Sequence, residues 1–286
     1  MKHAKTTAVL LGATSVLAAG AWAAEDPFWG QATAERGRIV YRANCVGCHG
    51  DEGDGQGPAA DTMFPAPRDL TAAEYRFRST PTGALPTRDD LLRTLELGLP
   101  GTEMPAWGRL LDPVELRSVV LYLETLSPRF EQGPQTATIV PGVPPEVTPE
   151  LLARGSEIYV ELKCGVCHGP EGRGDGKAAA GLADEGEPSP VFDFTFGVYK
   201  GGNTPEDVYR TFMTGLNGTP MPSYAASIPD ETDRWALVHY VRSLTRPRGL
   251  GFYLGNRVTW RDPLGPYATR VGLAVETPVE DEIPEW

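Results

Sequence analysis

Chemistry in this chain gathers at four cysteines and the histidines beside them: Cys45-Val46-Gly47-Cys48-His49 and Cys164-Gly165-Val166-Cys167-His168. Each stretch reads C-x-x-C-H, the attachment signature of c-type haem. Two thiols at this spacing form thioethers with the vinyl groups of the porphyrin, and the adjacent histidine is then held against the iron as its proximal ligand. A single match could be a zinc half-site or a thioredoxin-like dithiol. Two matches with no cysteine left over disfavour both, and a disulfide across two intervening residues is poorer still.

The remaining coordination position of each iron falls to methionine, to His239 or to nothing, and an internal repeat bears on the choice. Arg36-Gly37 aligns with Arg154-Gly155, Tyr41 with Tyr159, and the glycine ladder Gly53, Gly55, Gly57 with Gly172, Gly174, Gly176. Further on, Asp69-Leu70-Thr71 matches Asp193-Phe194-Thr195 and Arg93-Thr94 matches Arg210-Thr211. The best match is Gly98-Leu99-Pro100-Gly101-Thr102-Glu103-Met104-Pro105 with Gly215-Leu216-Asn217-Gly218-Thr219-Pro220-Met221-Pro222. A lone methionine is usually core filler. Two in the same register, each in a loop bounded by glycine and proline, are expected axial ligands: Met104 partnering His49, and Met221 partnering His168. His239 has Leu121 at its repeat position, so packing is expected of it rather than ligation.

With these residues in hand, the sequence resembles the class I cytochromes c, and specifically their diheme members, over residues 33 to 126 and 150 to 245. The resemblance implies an all-α, loop-rich fold of two tandem cytochrome c-like domains, each a few short helices wrapped around a covalently attached haem. In that family a helix leads into C-x-x-C-H, a glycine-rich loop follows, a middle helix packs over the haem, and a methionine loop precedes a last helix that crosses the first. It also implies that a proline carbonyl after the glycine loop accepts the Nδ1 proton of the proximal histidine. Pro58 matches, but the second half has Lys177 there, so either the two haems differ in potential or Ala178 or a neighbour supplies the carbonyl.

The elements that must position these groups are legible as periodic segments. Residues 33–44 and 149–162 carry helical spacing, with Ile39, Val40, Ala43 and with Leu152, Ile158, Tyr159 on one side. Residues 89–97 and 205–213 read as the middle helices, each opened by threonine and an early acid or proline. Residues 112–126 and 230–244 read as the last helices, with Leu116, Val119, Val120, Leu123 and with Trp235, Leu237, Val238, Val241 turned inward. The 33 glycines and 27 prolines predict short helices in much loop, with the porphyrin serving as part of the core.

Outside the repeats, residues 1–24 combine Lys2 and Lys5 with an apolar run and Ala21-Trp22-Ala23, which reads as a secretory signal peptide; a retained membrane anchor is the alternative. The first domain is placed at 25–140, a proline-rich linker at 141–149, the second domain at 150–246 and a tail matching neither repeat at 247–286. That tail is read as an arm packed over the domains, with partner docking as the alternative. No later run reaches the length of a membrane span. The net charge of −12 is the wrong sign for a binder of phosphate backbones, so nucleic acid is disfavoured.

Iron held by histidine and methionine has no open position and suits single-electron transfer. The expectation is therefore a periplasmic diheme electron carrier rather than an enzyme. It would relay electrons between a dehydrogenase and an oxidase or reductase, or serve as the cytochrome subunit of a larger oxidoreductase. The competing expectation is a diheme peroxidase-like enzyme with one open haem site, for which the two parallel methionine loops are the wrong equipment.

Overall fold

The computed structural model describes residues 26–133, 137–184 and 191–246; the expected signal peptide and C-terminal tail lie outside the described residues. Among the described residues the chain is helical, without strands. The first half holds α1 (Ala34–Asn44), α2 (Val46–His49), α3 (Arg88–Leu97) and α4 (Pro113–Thr125). The second holds α5 (Pro149–Glu161), α6 (Gly165–His168), α7 (Lys177–Asp184), α8 (Pro205–Thr214) and α9 (Glu231–Ser243).

The helix starts repeat along with the sequence. Thr33 and Thr148 accept from the backbone N–H three residues on, opening α1 and α5. Thr87 with Asp90, and Thr204 with Asp207, form reciprocal capping boxes at α3 and α8. Asp112 with Glu115 does the same for α4, where Pro113 takes the first-turn position that needs no amide donor. Each replacement of such a cap by alanine would cost about 1 kcal/mol.

In each half the first long helix packs on the last. A Cβ on Gly37 would run into the Ser118 carbonyl, and one on Gly155 into the Ala236 carbonyl, so α1 crosses α4 and α5 crosses α9 backbone to backbone. Tyr41 packs on Tyr122 and Tyr159 on Tyr240 beside these crossings, with ring centroids 5.1 and 5.5 Å apart. Two separate cores result, one built on Tyr41, Leu91, Leu95, Val119, Val120 and Leu123, the other on Tyr159, Val208, Phe212, Trp235, Val238 and Val241.

Sequence periodicity left α7 out. The first half has only a 3-10 turn at Ala60–Thr62 after its glycine loop, whereas the second has the alanine-rich run Lys177-Ala178-Ala179-Ala180, a strong local helix former.

The two halves meet along a polar seam. Arg78, 2% exposed, donates from the first half to the carbonyls of Thr214 (2.8 Å) and Gly215 (3.2 Å) at the end of α8. Thr82 also donates to Thr214 O (2.7 Å), and the Gly83 N–H to Asn217 Oδ1 (3.2 Å). Arg93 on α3 pairs with Asp207 on α8 and donates to Gly201 O at 2.8 Å. The chain between the halves is tied to the same loop, the Ile139 N–H donating to Ser79 O at 2.7 Å.

Candidate functional site

Each C-x-x-C-H begins as the leading helix ends and coils into one further turn, α2 or α6, which puts both cysteines and the histidine on one side. None of the four cysteines is in a disulfide. Burial pushes the Cys45 thiol up to about 12 and the Cys164 thiol up to about 11, so neither is an activated thiolate of the kind that attacks disulfides. Burial likewise lowers the pKa of His49 and His168, keeping both imidazoles neutral.

The histidine rings are oriented by backbone carbonyls: Nδ1 of His49 lies 3.0 Å from Arg68 O, and Nδ1 of His168 lies 3.1 Å from Phe192 O. A carbonyl only accepts, so Nδ1 carries the proton and Nε2 keeps its lone pair for a metal. This corrects the expected acceptor: neither Pro58 nor Ala178 supplies the carbonyl, and the two halves use the same device. The reason lies in the glycine ladder. A Cβ on Gly55 would strike Pro67 O and the backbone of Arg68, and one on Gly174 would strike Val191 O and Phe192. Only glycine lets the later segment close over the loop and bring its carbonyl to the histidine. The halves do differ in what flanks the ring: His168 stacks on Phe194 with centroids 4.3 Å apart, where the first half has Leu70.

The methionine loops are also built twice. Leu99 N–H donates to Met104 O (3.1 Å) and Met104 N–H to Thr102 Oγ1 (3.2 Å); Leu216 with Met221 (3.1 Å) and Met221 with Thr219 (3.2 Å) repeat both bonds. Each loop leaves its helix through a glycine at positive φ, Gly98 at 64° and Gly215 at 66°.

All eight residues singled out from sequence, Cys45, Cys48, His49, Met104, Cys164, Cys167, His168 and Met221, line one continuous cavity of about 660 Å³. Core side chains of both halves also form its wall, among them Leu91, Leu95, Val119, Phe212, Val238 and Val241, so neither core closes without something filling the space between. Two buried donors on the first half's share of the wall, Tyr75 OH and Trp107 Nε1, have no hydrogen-bond partner among the described residues. Buried donors of this kind call for an acceptor. An apolar slot with thiols and a neutral imidazole at one end and orphan donors on its wall fits a porphyrin, whose body is apolar and whose edge carries carboxylates.

His239, 1% exposed in α9 and stacked beside Trp235, is not part of that wall. Sequence reasoning missed Tyr75, Arg76, Tyr199 and Lys200, all of which line the cavity. Counting from the matched Asp69 and Asp193, Tyr75-Arg76 and Tyr199-Lys200 occupy the same repeat position, a correspondence that extending the alignment would have exposed.

Both halves of the chain match known protein families. The family model described as Cytochrome c matches residues 152–245, and that described as Cytochrome C oxidase, cbb3-type, subunit III matches residues 32–123. The chain is similar to the cbb3-type cytochrome c oxidase subunit CcoP of Azospirillum brasilense, 30% identical over 95 residues that cover 33% of this chain and 29% of that one. It is also similar to the cbb3-type cytochrome c oxidase subunit FixP of Sinorhizobium medicae (strain WSM419), 26% identical over 161 residues, 56% of this chain and 47% of that one. The chain thus spans less than half the length of these curated relatives. Among solved structures it is similar to a chain of the Kuenenia stuttgartiensis reducing HAO-like protein complex Kustc0457/Kustc0458, with 44% identity, a TM-score of 0.70, and coverage of 75% of this chain and 97% of that one.

Proposed function

Because the chain belongs to the diheme class I cytochromes c, with two tandem cytochrome c domains and two covalently bound haem c groups, we propose that it is a periplasmic single-electron carrier. When bound, haem supplies the reversible one-electron chemistry of its iron, and the protein supplies ligation, burial and orientation. His49 with Met104, and His168 with Met221, hold the two irons in this reading; Cys45, Cys48, Cys164 and Cys167 hold the porphyrins. One observation carries it: each half brings a carbonyl-oriented neutral histidine and a methionine from an identically bonded loop onto the wall of a single shared cavity.

The domains of this carrier are 25–140 and 150–246, joined by 141–149 and preceded by a signal peptide at 1–24. Its partners are an extracytoplasmic dehydrogenase as donor and an oxidase or reductase as acceptor, met either by diffusion or inside a larger oxidoreductase of which this chain is the cytochrome subunit. Similarity to oxidase subunits and to a chain of a reducing HAO-like protein complex supports the subunit form. No helix among the described residues is long and apolar enough to cross a membrane.

The test is the visible spectrum of the reduced, haem-loaded protein before and after carbon monoxide, which binds only iron with a vacant or labile sixth position. An unchanged spectrum is expected. Met104→Ala and Met221→Ala should each render half of the haem reactive, and the double variant all of it. Carbon monoxide binding to half the haem of the unmodified protein would overturn the symmetric carrier and bring forward a peroxidase-like enzyme with one open site.

A further inference from the structure

The repeat is unequal just before its middle helices. Between Arg78 and the capping Thr87 lie eight residues, 79–86, whereas between Gly202, which aligns with Arg78, and the capping Thr204 lies one, Asn203. The insert is closed on its own half. Buried Thr80 donates from Oγ1 to Leu85 O (2.7 Å), the Ala84 N–H donates to Pro81 O (3.0 Å), and Ser79 Oγ donates to the Asp90 carboxylate of the α3 cap (3.0 Å). From beyond α4, Arg129 donates to Gly83 O at 3.1 Å. A loop so tied keeps its tip in one place. Asn203 is bonded within its own half, its Oδ1 accepting from the Tyr199 N–H at 2.7 Å and its carbonyl from Arg242.

The tip of the insert, with Arg78 at its root, lands on residues 214–217, which lead out of α8 toward Met221. Arg78 serves the Thr214 and Gly215 carbonyls, Thr82 serves Thr214 again, and the Gly83 N–H serves the Asn217 side chain. Carbonyls at a helix end have no donor in their own helix, and here the other domain supplies the donors. Arg78 is anchored in turn by its Nε, which donates to Pro81 O at 3.3 Å. Burial lowers the pKa of Arg78 and the Asp90 carboxylate offsets this, but a guanidinium keeps its charge. Its bonds to α8 are therefore charge-assisted and formed where water is excluded.

These contacts bear on ligation. A ligand carried on the chain outcompetes one from solution only as far as the chain confines it. The Met221 loop is closed from within by the Leu216 and Thr219 bonds, so where the closed loop stands is set by its root at residues 214–217. We propose that Arg78 and the insert 79–86 are positioning residues for Met221, through which the first domain holds the sixth ligand of the second haem in place. Arg78 acts through the root of the loop, and parting the domains then loosens Met221. The inference rests on the reading of Met221 as an iron ligand.

The experiment is stopped-flow carbon monoxide binding to the reduced, full-length, haem-loaded protein, joined to the weak red absorption band that ferric iron shows only with methionine bound. Methionine displacement should be at least about tenfold faster in Arg78→Ala, bringing up to half of the haem into reaction in the time that leaves the unmodified protein unchanged. The red band should weaken by up to half. Two backgrounds say which haem responds: added to Met221→Ala, Arg78→Ala should recruit no further haem, and added to Met104→Ala it should carry the reactive part from half toward all. Thr82→Val keeps the shape of the insert and loses one bond to Thr214. It should act in the same direction to a smaller extent, and it carries the test if Arg78→Ala does not retain haem. Displacement unchanged in both variants, or hastened as much at Met104 as at Met221, would overturn the proposal. If Met221→Ala itself stays inert to carbon monoxide, the ligand reading falls and this inference with it. If Met221→Ala reacts at half of the haem while Arg78→Ala and Thr82→Val stay inert, this inference alone falls.

Discussion

Burial divides the histidines of the described chain between two uses. His49 and His168 sit on the cavity wall with Nδ1 tied to a carbonyl, whereas His239 is enclosed in α9, beside Trp235, with the Pro145 carbonyl of the linker accepting from it. Burial first, and then the nearby Arg242 charge, depress the pKa of His239 to about 4. The unfolded chain takes up this proton at about pH 6.5, so folding is unaffected above that pH and loses stability as pH falls from there towards 4. At pH 4.5 the loss from this one residue is about 2 to 3 kcal/mol relative to pH 7. His239→Leu, which installs the residue of the first half, should lose about 1 kcal/mol at pH 7 with the Pro145 bond, yet show a smaller drop between pH 7 and 4.5. Denaturant melts at the two pH values measure this, and an equal drop in both proteins would refute the assignment. The repeat break at Leu121 is enough to separate this histidine from the two on the cavity wall. Sequence could not supply the linker carbonyl that it holds.

Helices are where sequence and structure agree most closely, because their boundaries are written in local chemistry. The threonine and aspartate caps fix the starts of α1, α3, α4, α5, α8 and α9 within a residue of the periodic segments. How two helices touch depends on tertiary approach, and the aligned Gly37 and Gly155 gave no hint of their purpose until their neighbours were in place. A methyl at either would press into a backbone carbonyl of the partner helix, which has no flexible end to move aside. Gly37→Ala and Gly155→Ala should each cost about 1 to 3 kcal/mol and loosen haem retention in their own half. Gly181→Ala in α7 is the control, since nothing stands within 4 Å of its added carbon; it should be neutral or stabilise by about 0.5 to 1 kcal/mol. Thermal melts of the three holoproteins decide it, and three equal shifts would show that the crossings are not as close as described. The same dependence on tertiary approach explains the failure at Pro58. The acceptor carbonyls of Arg68 and Phe192 come from a segment distant in sequence, admitted by the vacant face of a glycine.

At the scale of the whole molecule, the repeat told that there are two similar halves but not how they face each other, because the seam is the place where the repeat stops being symmetric. Arg78 has no counterpart in the second half: counting from the matched aspartates, its position there is Gly202. That asymmetry lets one half cap the other. The Arg78 guanidinium lies at the C-terminal end of α8, where unpaired carbonyls and the negative end of the helix dipole favour a cation, and just beyond it Gly215 starts the Met221 loop. The same guanidinium holds its own loop through Tyr75 O and Arg76 O at 3.3 Å each, so it links this part of the cavity wall to the methionine loop of the opposite domain. Arg78→Ala removes these charge-assisted bonds and leaves buried carbonyls short of donors, at a cost of about 2 to 3 kcal/mol. Thr82 still serves Thr214, so each half should keep its own fold and its haem. Calorimetry of the holoprotein is therefore expected to show one cooperative transition in the unmodified chain and two, the lower one shifted down, in Arg78→Ala. A single transition at an unchanged temperature would mean that the halves are held together by the linker and the prosthetic groups alone, and that the seam contributes orientation without stability.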